Sequence, residues 1–269
     1  MREILHTIIP VGLETPVKLL HITDVHITRY AQSDPDYQKE LAALRVEIFR
    51  EEGNDPPHTP EEYLAEAFAL AEKEGALPVL TGDVMDIHTQ GNVEYLRRFL
   101  QNKDWLFTPG GHEYQRVCRR TMEEGEAYVN GVKAELRAQF PQIDWDFSSR
   151  VIGGVNVVMA NNALDYYNAD TVERFEKELD KGLPIVVFSH DPIKDRLLNR
   201  TENYHQNIHL TEKDYAINHR MLCILREDPR VVTTVTGHWH RNEEYEIDGK
   251  THYITDGLFK GVCRLIEIV

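Results

Sequence analysis

The sequence predicts an α/β protein, and three observations carry that expectation. Short apolar runs rich in Val, Ile and Leu alternate with longer amphipathic stretches along the whole chain. Four of those runs end in Asp or His, in the way that ligand-binding residues gather at the carboxyl ends of strands in open α/β sheets. No repeat or low-complexity linker interrupts the 269 residues, and 41% of them are hydrophobic, enough for one large core. A single domain over residues 1–269 is expected.

The elements follow in order. Val17–Ile22 is the first apolar run, read as a buried strand. A helical insertion over 31–75 comes next, with one helix from Pro35 to Glu52 and another opened by Thr59, Pro60 and Glu61. Gly75 stops the second helix, so both its ends carry cap chemistry. Strands are expected at Ala76–Leu80 and Trp105–Phe107, with a helix from Asn92 to Asn102 between them. Two helices, Glu113–Glu124 and Val129–Phe140, lead to a strand at Val155–Met159. A helix at Thr171–Lys181 precedes the strand Ile185–Phe188, and a loop over 192–212 runs into a helix at Thr211–Arg226 and the strand Val231–Val235. Asp248 and Gly249 lie between two alternating runs, Glu243–Ile247 and Thr251–Ile254, which is the signature of a tight hairpin. Val262–Val269 is the closing strand.

Acidic residues outnumber basic ones by 45 to 30, a net charge of −15. The surface as a whole should therefore repel nucleic acid and anionic membranes, and an anionic substrate needs a local positive centre. Cys118, Cys223 and Cys263 are odd in number and far apart, which argues against a disulfide framework or a thiolate zinc site. No stretch approaches the roughly 20 apolar residues of a membrane span, and residues 1–20 do not read as a signal peptide. A soluble cytoplasmic protein is expected. There is no HExxH, so a zinc peptidase has no support.

The chemistry lies in the segments VKLLHITDVH, ALPVLTGDVMD, LPIVVFSHD and VVTTVTGHWH. Asp24 and His26 are two apart, as are His238 and His240. In an extended segment that spacing sends both side chains of a pair to the same side and toward one ion. Gly82 and Gly237 let the backbone turn as it leaves its strand. One such pair arises easily by chance, but four groups of unpaired Asp and His at strand ends are hard to reconcile with core packing, because burying them is costly.

In order along the chain, Asp24-Val25-His26, Gly82-Asp83-Val84-Met85-Asp86, Gly110-Gly111-His112-Glu113, His190 and Gly237-His238-Trp239-His240 resemble the motif set of the calcineurin-like metallophosphoesterases. The resemblance implies a two-sheet β-sandwich flanked by helices, a four-layer αββα fold, with two divalent metal ions at one edge. It assigns the first ion to Asp24, His26, His240 and one oxygen of Asp83, and the second to Asp83, His190 and His238. Mn, Fe, Zn and Ni all suit such ligands. Gly111 departs from the family, which has Asn there as a ligand of the second ion; Asn161, Asn162, Glu113 and water are the candidate replacements. The implied reaction is hydrolysis of a phosphomonoester or phosphodiester by a metal-bridging hydroxide that attacks phosphorus, with His112 protonating the leaving group and Asp86 or Glu113 orienting it. The alternative is a non-catalytic metal-binding scaffold of the same fold.

Substrate contacts are expected from Arg29 after the first motif, from Asn162, and from Tyr204 and His205 in the loop 192–212. Arg116, Arg119 and Arg120 share one helical face and could approach a phosphate, although a solvated face is the plainer reading. The expected partner is a small phosphorylated substrate, with no membrane and no nucleic acid.

Overall fold

The computed structural model describes residues 1–116, 121–193 and 210–269. Numbered in chain order, its strands are β1 (Glu3–Ile9), β2 (Val17–Ile22), β3 (Leu77–Leu80), β4 (Leu106–Phe107), β5 (Phe147–Ile152), β6 (Val155–Ala160), β7 (Ile185–Phe188), β8 (Val231–Thr236), β9 (Glu243–Ile247), β10 (Lys250–Ile254) and β11 (Val262–Ile268). The helices are α1 (Asp36–Glu52), α2 (Pro60–Glu74), α3 (Gln90–Leu100), α4 (Thr121–Gln139), α5 (Ala169–Leu179) and α6 (Glu212–Glu227). Two mixed sheets result, ordered β1-β11-β2-β3-β4 and β5-β6-β7-β8-β10-β9.

The period-2 alternation of each strand divides its side chains between two apolar layers. Leu19, Val79 and Ile266 of the first sheet meet Val157, Val186, Phe188 and Val235 of the second, all fully buried. Each contributes about 1.5–3 kcal/mol by leaving water. The opposite faces take helices. Leu64 of α2, Val93 of α3 and Val132 of α4 cover Leu20, Ile22 and Leu80. Phe175 of α5 and Met221 of α6 cover Val158, Ile185 and Val187. The layers therefore run helix, sheet, sheet, helix, the architecture expected above. At the start of α2, Thr59 accepts from Glu62 N while the Glu62 carboxylate accepts from Thr59 N, and Gly75 closes the helix at φ 62°.

Three features differ from the sequence expectation. β1 and β5, both edge strands, were not foreseen. Ile8 of β1 is largely exposed, and in β5 only Phe147 is buried, so neither shows the continuous apolar run of a central strand. The third difference follows His112, where residues 112–114 form a single 3-10 turn and one helix, α4, replaces the two expected at Glu113–Glu124 and Val129–Phe140. The gap expected at residues 125–128 is helical and lies inside α4, whose Val129, Val132 and Leu136 are buried in the core; packing overrides local propensity there.

Among the described residues, no helix is long and apolar enough to cross a membrane.

Candidate metal centre

β2 and β3 are parallel neighbours in one sheet, and β7 and β8 in the other, so the loops leaving their carboxyl ends face one another across the sandwich. Backbone bonds join these loops: Asp24 N donates to Gly82 O at 3.1 Å, His26 N to Asp83 O at 2.9 Å, and Gly237 N to His190 O at 3.1 Å. Two glycines make the approach possible. Gly82 has φ +86°, and a Cβ there would lie 2.1 Å from Gly110 N. Gly237 needs no unusual dihedral, contrary to the turn expected of it; a Cβ there would lie 1.9 Å from Thr23 Oγ1 and 2.3 Å from Asp24 Oδ2. Close approach, rather than turning, is what excludes a side chain at 237. Gly82→Ala combines backbone strain with a backbone clash, and urea unfolding should show a loss of at least about 3 kcal/mol.

Asp24, His26, Asp83, His238 and His240 all have φ between 48° and 69°. Left-handed backbone at a non-glycine residue is uncommon and strained, and it concentrates at functional sites. This finding corrects the extended geometry assumed from the spacing, and its effect is clearest at the second pair. His238 and His240 do not share a target: His240 joins Asp24 and His26, while His238 joins Asp83 and His190.

In the first group, His26 Nε2 and His240 Nε2 lie 3.1 Å apart, and Asp24 Oδ1 is 3.2 Å from His240 Nε2 and 3.8 Å from His26 Nε2. Adjacent ligands with bonds of about 2.1 Å to one ion are separated by about 3.0–3.4 Å. Asp24 Oδ2 accepts from Thr23 Oγ1 and His238 N, whereas Asp24 Oδ1 is buried without a hydrogen-bond partner. An orphaned carboxylate oxygen beside two imidazole nitrogens is a donor set that fits a divalent cation.

In the second group, His190 Nδ1–H donates to Thr81 O at 2.7 Å, which leaves Nε2 pointing at Asp83 Oδ2, 3.2 Å away. His238 Nδ1 is 3.2 Å from that same His190 Nε2. Asp83 Oδ2 is also 3.9 Å from His26 Nε2, while Asp83 Oδ1 accepts from His112 N at 2.9 Å. One carboxylate oxygen thus stands between the two groups.

The charge balance within the site is steep. Burial opposes charge on Asp24 and Asp83, yet the surrounding histidines hold both carboxyls well below the usual range. Burial also opposes charge on His240, but Asp24 and Glu52 push its pKa up to about 9. His238 goes the other way, pushed down to about 3 by burial and by His190.

His112 lies at the rim, its side chain 21% exposed. Its Nδ1–H donates to Asp86 O at 2.7 Å and is 3.0 Å from Asp86 Oδ1. A proton exchanged with a substrate would therefore pass through Nε2. Asp86 Oδ1 also accepts from His26 Nδ1 at 3.0 Å. Burial disfavours charge on Asp86, but Arg45, His112 and His26 keep it ionised.

Glu113 neither ligates nor orients His112. Its carboxylate accepts from four backbone N–H groups, those of Asp83, Val84, Met85 and Gly110, at 2.7–3.1 Å, so it shapes the loop that carries Asp83. Burial and the Asp83 charge raise its pKa to about 7. Asn162 is buried, bonding Tyr167 Oη and Asp191 O through Nδ2 and the His190 and Asp191 N–H groups through Oδ1. Both ends are engaged in holding the His190 loop, leaving neither for a substrate. Asn161 is similarly committed to Tyr114, Trp145 and Ala163. Arg29 pairs with Glu61 at 3.0 Å and lies over Tyr95, not in the cluster. Tyr204, His205, Arg119 and Arg120 lie outside the described residues.

Four participants were not visible in the sequence. Asp191 brings Oδ1 to 3.4 Å from His238 Nδ1. Arg45, Phe49 and Glu52 of α1 touch Asp86, His26 and His240 respectively. On a helix such residues read as an ordinary amphipathic pattern. A cleft of about 310 Å³ runs beside His26 and Phe49 toward Pro56, Pro57 and His58.

The sequence profile described as calcineurin-like phosphoesterase matches residues 17–242. The chain belongs to that family. Metal-dependent phosphoester hydrolysis is the general chemistry of calcineurin-like phosphoesterases, and among the described residues three Asp–His groups, Asp24–His26–His240, Asp83–His190–His238 and His26–Asp86–His112, are donor sets that could hold divalent cations. A comparison with curated proteins finds no match. Among solved structures, the calcineurin-like chain is similar to a provisionally assigned 5′-nucleotidase of Staphylococcus aureus, with 12% identity, a TM-score of 0.45, and coverage of 90% of this chain and 49% of the other. It thus spans about half the length of that protein. It is also similar to phosphopantetheinyl hydrolase of Mycobacterium tuberculosis, with 13% identity, a TM-score of 0.42, and coverage of 94% and 91%. A third similarity is to GAP50, the anchor in the inner membrane complex of Plasmodium, with 10% identity, a TM-score of 0.44, and coverage of 91% and 73%.

Proposed function

We propose that the protein hydrolyses a small phosphomonoester or phosphodiester at a two-cation centre. The observation that carries this reading is the pair of Asp–His groups joined by Asp83 Oδ2. Asp24, His26 and His240 would hold the first cation with Asp83, and His190 and His238 would hold the second with the same carboxylate. When bound, the cations neutralise phosphoryl charge and activate water. Asp24 and Asp83 leave part of the cationic charge unbalanced, giving the local positive centre that an anionic substrate needs on a protein of net charge −15. His112 delivers the proton to the departing oxygen, and Asp86 fixes the orientation of its ring.

The experiment is elemental analysis of the purified protein together with turnover of p-nitrophenyl phosphate and its bis ester, with and without added Mn²⁺. Bound metal with turnover of either ester supports the reading, whereas metal without turnover would favour the scaffold alternative. The absence of both metal and turnover would sink it.

The second group is one side chain short, because Gly111 has none to offer. Gly111 sits at φ −66°, ψ −33°, a conformation open to any residue. Gly111→Asn should therefore fold normally and tighten the weaker of two Mn²⁺ binding steps by about tenfold in calorimetric titration, the scale of one added supporting ligand. Unchanged affinity would show that the position is already filled.

A further inference from the structure

The α1 helix carries three residues that reach the centre from one side. Arg45, Phe49 and Glu52 are spaced i, i+4 and i+7, which places them on a single face. Each touches a different part of the site. Arg45 donates from Nε and Nη2 to the two oxygens of Asp86 at 2.6 and 2.8 Å, a bidentate pair. The Phe49 ring stacks on the His26 imidazole with centroids 4.1 Å apart. Glu52 Oε1 accepts from His240 Nδ1–H at 2.7 Å. The clamp is also internally joined, with the Arg45 guanidinium over the Phe49 ring at 4.7 Å.

We propose that α1 is a positioning element for the metal centre, with Glu52 and Arg45 setting cation affinity and the alignment of His112 from outside the ligand set. This rests on the two-cation reading above. Glu52 fixes the His240 tautomer so that Nε2 presents its lone pair, and its charge makes that nitrogen a stronger donor. Arg45 acts through Asp86, whose Oδ1 accepts from His26 Nδ1–H and lies 3.0 Å from His112 Nδ1, while the Asp86 backbone O takes the shorter bond from His112 at 2.7 Å. A single guanidinium thereby sets the ring angles of one ligand and of the proton donor. Phe49 restricts the His26 ring plane by stacking. None of the three belongs to the donor groups that could hold a cation.

The test is Mn²⁺ titration by calorimetry of the wild type, Glu52→Ala, Glu52→Gln and Arg45→Met, with thermal unfolding of each metal-free protein. Glu52→Ala should weaken one Mn²⁺ step about 10- to 100-fold, the range seen for partners of metal-bound histidines. Glu52→Gln, which retains an acceptor for Nδ1–H, should recover a large part of that loss. Arg45→Met should lower kcat for an alkyl phosphate more than for p-nitrophenyl phosphate, with KM little changed, because the misplaced His112 matters most when the leaving oxygen needs a proton. Mn²⁺ affinities of Glu52→Ala and Arg45→Met within twofold of wild type would overturn the proposal, as would losses matched by an equal fall in unfolding temperature. A wild-type protein that binds no Mn²⁺ would instead remove the two-cation reading itself.

Discussion

Asp83→Asn should abolish more activity than any other single conservative change in the chain. The carboxylate is within 3.2 Å of His190 Nε2 and 3.9 Å of His26 Nε2 through the same oxygen, so one charge serves both groups. Asparagine preserves the size of the side chain and keeps an oxygen for the bond from His112 N, so the fold should survive. The lost charge is what matters: two dications brought close together repel, and a shared anion offsets that repulsion. Changing a partner outside the ligand set costs about 10–100-fold, and removing a shared ligand charge should exceed that, at about 10³-fold or more in kcat/KM. Elemental analysis should show the metal content falling from two ions per chain to one or none. Retention of two ions and activity within tenfold of wild type would remove Asp83 from the bridging position.

His112→Ala should divide substrates by their leaving group. A general acid contributes about 10²–10⁴-fold when the departing oxygen is strongly basic. An alkyl phosphate should therefore lose most of its turnover, whereas p-nitrophenyl phosphate, whose leaving group departs as a stable anion, should lose less than about tenfold. The geometry supports this asymmetry. His112 lies outside the two groups joined by Asp83, forming a separate donor cluster with His26 and Asp86, and its Nδ1–H is committed to Asp86. Metal content should consequently stay at the wild-type level, which separates this variant from Asp83→Asn. Equal losses on both esters would leave His112 a role in binding phosphate rather than in donating a proton.

Much of this arrangement was legible in the sequence because it follows from two short-range rules. Apolar runs ending in Asp or His locate strands and their carboxyl ends together, and β2, β3, β7 and β8 lie where those runs do. What could not be read depends on contacts distant in sequence. β1 is recognisable only through its pairing with β11 at the far end of the chain. Glu52 and His240 are 188 residues apart, and nothing in the pattern of α1 distinguishes a carboxylate that holds an imidazole from one that faces water. Glu113 looked like an acid available for chemistry, but four backbone N–H groups consume its acceptor capacity, a fact about loop shape that no spacing encodes. Asn162, expected to contact substrate, has its amide taken up in the same way by Tyr167 and the His190 loop. Spacing alone sent His238 and His240 to one ion because it assumed extended backbone, which left-handed dihedrals at both positions overturn; only the family resemblance separated the two.

Those dihedrals bear on how such a site would decay. In a lineage that ceased to need cations, selection would stop favouring Asp and His at positions 24, 26, 83, 238 and 240, but the loops would keep their shape as long as the sandwich kept its strands. Glycine and asparagine tolerate that backbone best, and β-branched residues tolerate it worst. Descendants that had lost the chemistry should therefore collect glycine and asparagine at these five positions. Position 190, which has no positive φ, should instead drift according to burial alone. Uneven drift of this kind would mark an abandoned metal centre even after every ligand had gone.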